Sequence, residues 1–258
     1  MWPLSTRMHV PDGRVFRYAK AGSVALSVGK LVSSAAREPQ HANLSVDAAG
    51  GAIGDNLITF TLSDVAVALG EYNDGLIYVN DGSKQGHVYR INTHVAAAAG
   101  ATLFVGLHTR LITTLGTTDQ VTLVKNVYNG VAVSQALKAE RAVGVPPKDI
   151  TANLFFWAQT YGPMAILQDG TLFEARDVSP SKTVHGAVTH ATVPISAAAN
   201  DEIQPTDSIS VLFTDAENNE RLADIPVLKG LLATSVVGFS LDPRADTEYS
   251  LVQLTIID

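Results

Sequence analysis

The sequence contains no cysteine. Disulfides, thiolate nucleophiles and cysteine-ligated zinc are therefore excluded, and such a chain fits synthesis in a reducing cytoplasm. Charge is scarce as well. Asp, Glu, Lys and Arg make up 17% of the 258 residues, against roughly 25% in an ordinary soluble domain. A surface rich in Ser, Thr, Asn and Gln would account for this, and so would a surface partly covered by partners. Lys and Arg never form a run, and the net charge is −7. The basic stripe of a nucleic-acid-binding protein is missing, so no nucleic-acid partner is expected. No apolar stretch reaches the roughly eighteen residues of a membrane-spanning helix. Met1-Trp2-Pro3-Leu4 does not begin a signal peptide, which needs a charged region and then an apolar one. No membrane partner is expected either.

The motifs of common chemistries are absent too. There is no HExxH, no GxSxG and no GxxxxGK[ST]. The histidines, His9, His41, His87, His94, His108, His185 and His190, are scattered without a metal-ligand spacing. Asp74 with Asp81, or Asp215 with Glu217 and Glu220, offers oxygen ligands to calcium, but neither set has the EF-hand spacing. Glu71 and Glu174 would be the carboxylate pair of a glycosidase, and nothing in the sequence brings them together. The expectation is a non-enzymatic protein with no catalytic residue, no cofactor and no metal.

What is present is hydrophobic material, 46% of the chain, cut into short β-rich runs by frequent turn residues. That pattern predicts an all-β protein of two β-sandwich or barrel-like modules. Residues 1–14 have no strand or helix period and are expected to form an extended N-terminal arm. The two modules are expected at residues 15–145 and 146–258, with Pro146-Pro147 at the boundary. Predicted strands include residues 15–19, 24–32, 57–62, 76–79, 87–93, 102–105, 209–213 and 249–257. Asn129-Gly130, between two β-rich runs, predicts a hairpin. Residues 135–141 carry the only clear helical propensity.

The arm holds Trp2, Leu4, Met8 and Val10, apolar groups that a purely solvating tail would lack. Arg7, Arg14 and the following Arg17 make this end basic in an acidic chain. Trp2, Leu4, Arg7, Met8, Arg14 and Arg17 are therefore candidate contacts, on an arm that would order when it meets a partner. Residues 153–173 are the centre of the organisation. Alternation puts Phe156 on one face and Phe155, Trp157 and Tyr161 on the other, so both faces are expected to be covered. Phe156 and Trp157 should be mostly buried. Gly162-Pro163 should break the strand, Asp169-Gly170 should turn it, and Thr171-Leu172-Phe173 should begin the return. Phe156, Trp157, Tyr161, Gly162 and Pro163 form this expected core hairpin.

Three stretches carry a resemblance: PDGRVFRYAKAG at residues 11–22, followed by VGKLV at 28–32; FWAQTYGP at 156–163; and EYSLVQLTIID at 248–258. In this order they resemble auxiliary virion proteins of tailed bacteriophages, the decoration or cement proteins of the capsid exterior. The resemblance implies a β-rich structural protein without catalysis, made in the host cytoplasm and located on the outside of the virion. It would bind the assembled head, bridge major capsid protein subunits and associate with itself, with a trimer ahead of a dimer. The alternative is a head-fibre or tail-fibre receptor-binding module that grips host glycans.

Overall fold

The structure, a computed structural model, describes residues 2–48, 50–136, 140–191, 208–214, 220–226 and 236–256, with residues 208–214 and 220–226 described by backbone and pairing. In chain order the strands are β1 (Arg7–His9), β2 (Val15–Ala21), β3 (Val32–Ser33), β4 (Leu44–Ser45), β5 (Leu57–Thr61), β6 (Leu76–Asp81), β7 (Val88–His94), β8 (Thr102–Leu107) and β9 (Gln120–Val124). There follow β10 (Asn129–Val133), β11 (Ala142–Gly144), β12 (Phe155–Leu167), β13 (Asp177–Pro180), β14 (Val188–His190), β15 (Ser208–Thr214), β16 (Glu220–Pro226), β17 (Gly238–Asp242) and β18 (Tyr249–Thr255). The protein is all-β. A single 3-10 turn, Pro39–His41, is the only helical element among the described residues.

Six strands run in the order β4-β9-β6-β7-β8-β5. A bridge between Val46 and Phe60 brings the first strand back to the last, so this sheet nearly closes into a barrel. Alternation makes closure possible. Ile58 and Phe60, Ile77 and Val79, Tyr89 and Ile91, and Leu103 and Val105 point inward while their neighbours face out. Eighteen buried side chains fill the interior as one cluster.

The larger sheet has the order β11-β3-β10-β2-β12-β18-β17-β13-β14, with β1 added beside β2. β10 runs parallel to β2, and the other pairs are antiparallel. Two clusters form its core, one around Ile166, Val252 and Leu254 and one around Ala19, Val131, Phe156 and Ala158. β15 and β16 pair as a separate hairpin.

The sheets divide the chain differently from the expected boundary at Pro146. β2, β3, β10 and β11 belong to the same sheet as β12 to β18, so residues 15–145 are not one module. The barrel is an insertion between β3 and β10, and the larger sheet is built from both flanking parts of the chain. Nor is the N-terminal segment a free arm. β1 pairs with β2 in the register Met8↔Phe16, and Leu4 is buried.

Two local expectations fail for a shared reason: another strand already holds the edge. The Asn129-Gly130 hairpin does not form because β9 has both edges taken by β4 and β6. Gly130 instead lies where the β10 register on β2 shifts. The return strand at Thr171-Leu172-Phe173 does not form because β18 pairs with β12 from Tyr161 to Leu167. Residues 24–32 form only a bridge at Leu26 and the start of β3. No helix forms at the described part of residues 135–141, and Leu137, Lys138 and Ala139 lie outside the described residues.

Candidate contact surface

β12 carries the centre of the larger sheet, and it does not break at Gly162-Pro163. Its pairing with β2 ends at Tyr161↔Val15, whereas pairing with β18 continues to Leu167↔Tyr249. Pro163 therefore sits where one edge of the strand no longer faces β2, and its missing N–H is tolerated. Gly162 takes φ +95°, and a Cβ there would lie 2.8 Å from Arg14 Cγ. Only glycine fits both the backbone angle and the close approach of Arg14. The preceding register shift at Gln159–Tyr161 is held by the buried Gln159 amide, which donates to Pro163 O at 2.9 Å and Tyr161 O at 3.3 Å.

The two faces of β12 are unequal. Phe156, Ala158 and Ile166 enter the core clusters. Phe155 and Trp157 are partly buried on the outer face, while Phe156 is buried on the inner one. The Tyr18 ring stacks on Phe155 at 5.5 Å and tilts against Trp157 at 5.1 Å, with Lys20 over Phe155. Further along, Tyr161 is 47% exposed, and Leu251 and Phe239 are 40% and 36% exposed. Pro163 and Ala165 are exposed beside them. From Tyr161 to Leu167 and from Tyr249 to Thr255 no outward-facing residue is charged. Sequence reasoning had not singled out this face, although its signal is legible: residues 154–168 and 249–256 contain no charged residue.

The expected contact residues at the N-terminus separate into anchors and exposed groups. The Leu4 N–H donates to Asp74 Oδ2 at 3.0 Å, and the Ser5 hydroxyl donates to Asn126 Oδ1 at 3.0 Å. Arg17 Nη1 donates to Ser5 O at 2.7 Å. Leu4 and Arg17 thus tie the segment to its own chain. Trp2 and Arg7 are exposed, and Met8 is partly buried on β1. Arg14 pairs with Asp12 at 2.7 Å and lies over the Phe16 ring. The Arg14 N–H and guanidinium hold the Asp12 carboxyl below its usual range. A cavity of about 540 Å³ separates the segment from the barrel, lined by Leu4, Asp74, Leu76, Arg90, Val124 and Asn126 among others. Its charges are committed. Asp74 also accepts from Arg90 at 3.0 Å, and Lys125 meets Glu71 at 2.7 Å.

Two histidines cap one end of the barrel core. His94 Nε2 accepts the Tyr72 N–H at 2.8 Å, so its proton sits on Nδ1 and is donated to Val95 O at 2.8 Å. His41 Nε2 faces Val65 O at 3.1 Å, so its Nδ1 accepts the Tyr72 hydroxyl at 2.5 Å. Burial pushes His94 down and Tyr72 up, the latter aided by the nearby Glu71 carboxylate. Burial would raise Glu71, but Lys125 and the Ala68 N–H together outweigh it and leave the carboxyl below its ordinary value. These groups join the 3-10 turn, the β6 entry and the β7 exit, and their hydrogen bonds saturate one another.

Of the acids considered for calcium, Asp74 and Asp81 are not brought together, lying at opposite ends of β6. Asp81 accepts the Gly82 N–H, and Asp74 holds Leu4 and Arg90. Asp215 and Glu217 lie outside the described residues. Glu71 borders the barrel, while Glu174 sits in the turn before β13 of the other sheet. No group of three metal-ligating side chains occurs among the described residues, and no helix among them is long and apolar enough to cross a membrane. No family model, no curated protein and no solved structure matches the chain.

Proposed function

We propose that this chain is a non-enzymatic structural protein of a tailed-phage virion. It binds the outside of the assembled head and bridges and stabilises major capsid protein subunits. One observation carries this reading. The three stretches that resemble decoration proteins contribute β2, β12 and β18, which lie side by side in the larger sheet. A resemblance scattered over both ends and the middle of the chain thus falls on one continuous surface, which is apolar and exposed toward β18. Binding only the assembled shell would stabilise that state by mass action against internal pressure.

A second reading, a head-fibre or tail-fibre module for host glycans, draws support from the half-exposed row of Tyr18, Phe155 and Trp157. Aromatic faces of this kind stack on sugar rings. Copy number separates the two readings. A stained gel of purified virions should show this chain at a copy number comparable to that of the shell subunits, removable without loss of the tail. A handful of copies, lost together with a fibre, would overturn decoration in favour of the glycan reading.

A further inference from the structure

We propose that residues 70–75 form an acid-sensitive joint between the barrel and the larger sheet, held closed by the neutral imidazole of His94. The inference concerns the fold itself and stands whichever partner the protein binds. These residues lead into β6, yet their hydrogen bonds reach beyond the barrel. The Glu71 carbonyl accepts from the Asn129 side chain at 2.8 Å, at the start of β10 in the larger sheet. The Asp74 carbonyl accepts from Asn126 at 3.0 Å, in the crossing from β9 to β10. Asp74 Oδ2 accepts the Leu4 N–H at 3.0 Å, and Lys125 meets Glu71 at 2.7 Å. The packing has no slack, since a Cβ on Gly75 would lie 2.3 Å from Val124 O. One short loop thus holds the N-terminal segment, the crossing and the first residue of β10 against the barrel.

The middle of this loop is fixed by the Tyr72 N–H, which donates to His94 Nε2 at 2.8 Å. Both residues are buried. The bond needs a lone pair on Nε2, and Nδ1 carries the proton, donated to Val95 O at 2.8 Å. A second proton would set the Nε2–H against the Tyr72 N–H, two donors with no acceptor between them. A backbone N–H cannot reverse its role. His41 differs, because its partner is the Tyr72 hydroxyl. A hydroxyl can turn and accept when the imidazole gains a proton. Protonation of His41 is therefore compatible with the closed joint, and protonation of His94 is not.

The surrounding charges do not offset this conflict. Burial lowers the proton affinity of His94, outweighing the Val95 carbonyl and the Glu71 carboxylate, which both favour the charged form. Glu71 is matched by Lys125, which also lies over the Tyr72 ring. Glu38 and Arg37 act on Tyr72 with opposite sign. His94 thus takes its proton when Tyr72 moves away. Closure is favoured above the ordinary histidine value of 6.5 and weakens as pH falls below it. An opening that admits one proton grows by up to about tenfold per pH unit in that range.

The test is hydrogen exchange of the full chain at pH 7.5 and 5.5, corrected for intrinsic rates. It compares wild type, His94→Gln and His41→Gln. A glutamine carbonyl can accept the Tyr72 N–H and does not titrate. At both pH values the Tyr72 and Leu4 amides should open more readily than those of β5 and β8 in the barrel core. On acidification they should lose about tenfold in protection in wild type and in His41→Gln, and stay level in His94→Gln. A level wild type, an equal loss in His94→Gln, no loss in His41→Gln, or a Tyr72 amide that opens only with the barrel core would each overturn the proposal. If His94→Gln does not fold, the imidazole nitrogen shifts of wild-type His94 replace it. Protonation of His94 should coincide with loss of Tyr72 protection. A protonated His94 beside a fully protected Tyr72 amide would overturn the proposal.

Discussion

The barrel and the larger sheet solve the same problem differently. The barrel nearly closes on itself: its strands come from one continuous stretch, a bridge links its first strand to its last, and its eighteen buried side chains form a single cluster. The larger sheet stays open. It draws its central strands from residues far apart in the chain, splits its core into two clusters, and leaves an apolar outer face exposed. Pairing around a nearly closed barrel leaves little free strand edge, although apolar residues such as Leu57, Val88 and Phe104 stay exposed on its outside. The open sheet ends in the edges of β11 and β14, so the two regions differ in the strand edges they leave free.

Substitutions should separate the two regions, most strongly in the barrel core. Phe60 is fully buried, and Phe60→Ala should cost about 3–5 kcal/mol. Denaturant unfolding followed by hydrogen exchange should place that loss in the barrel strands. Trp157 is half-buried and keeps solvent on its outer side, so Trp157→Ala should cost only about 2 kcal/mol. A loss matching that of Phe60→Ala would show that both sheet faces are covered after all.

A smaller effect concerns the tie between the regions. Asp74 accepts from Leu4 N–H and Arg90 and holds a positive φ of 60°. Asp74→Ala should raise amide exchange at residues 4–8 about tenfold, in line with the roughly 1–3 kcal/mol of a lost charged hydrogen bond. Protection in the barrel core should stay unchanged. If barrel protection falls equally, the N-terminal segment is part of the barrel's cooperative unit.

The smallest effect is that of pH. Unfolded His94 takes its proton near 6.5, and burial lowers that value in the folded barrel. Below about 6.5 the unfolded chain therefore binds more protons, and barrel stability falls as pH drops toward the folded value. Glu71 adds to the loss at lower pH, because its folded value lies below 4.5. Denaturation midpoints between pH 8 and 5 should decline in wild type and stay flatter in His94→Gln. A midpoint that rises on acidification would contradict the buried neutral imidazole.

Strand identity was legible wherever alternation met a buried face. Ile58-Thr59-Phe60 and Ile77-Tyr78-Val79 announce their strands because the barrel takes every second side chain. Pairing was not legible. Asn129-Gly130 has the composition of a hairpin, yet β9 spends both edges inside the barrel, and no local signal reports that. The barrel's insertion was hidden because Pro146-Pro147 looks like a boundary, while the real crossings near Ala36 and Asn126 carry no comparable punctuation. Leu4 looked like an exposed contact because its acceptor, Asp74, is distant in sequence. The uncharged outer face was written in residues 154–168 and 249–256, but only the register between β12 and β18 reveals that these residues share a face.

Native-state hydrogen exchange of the intact chain tests the central claim most directly, since it reads each strand's opening free energy. The amides of β2 and β18 lie near opposite ends of the chain but flank the same strand, β12. They should open together, with one shared free energy. β4 to β9 should open as a second unit, and only this second unit should shift in Phe60→Ala. Exchange in which β2 opens with the barrel strands that follow it in sequence, and β18 opens separately, would contradict an inserted barrel within a sheet assembled from both flanking parts of the chain.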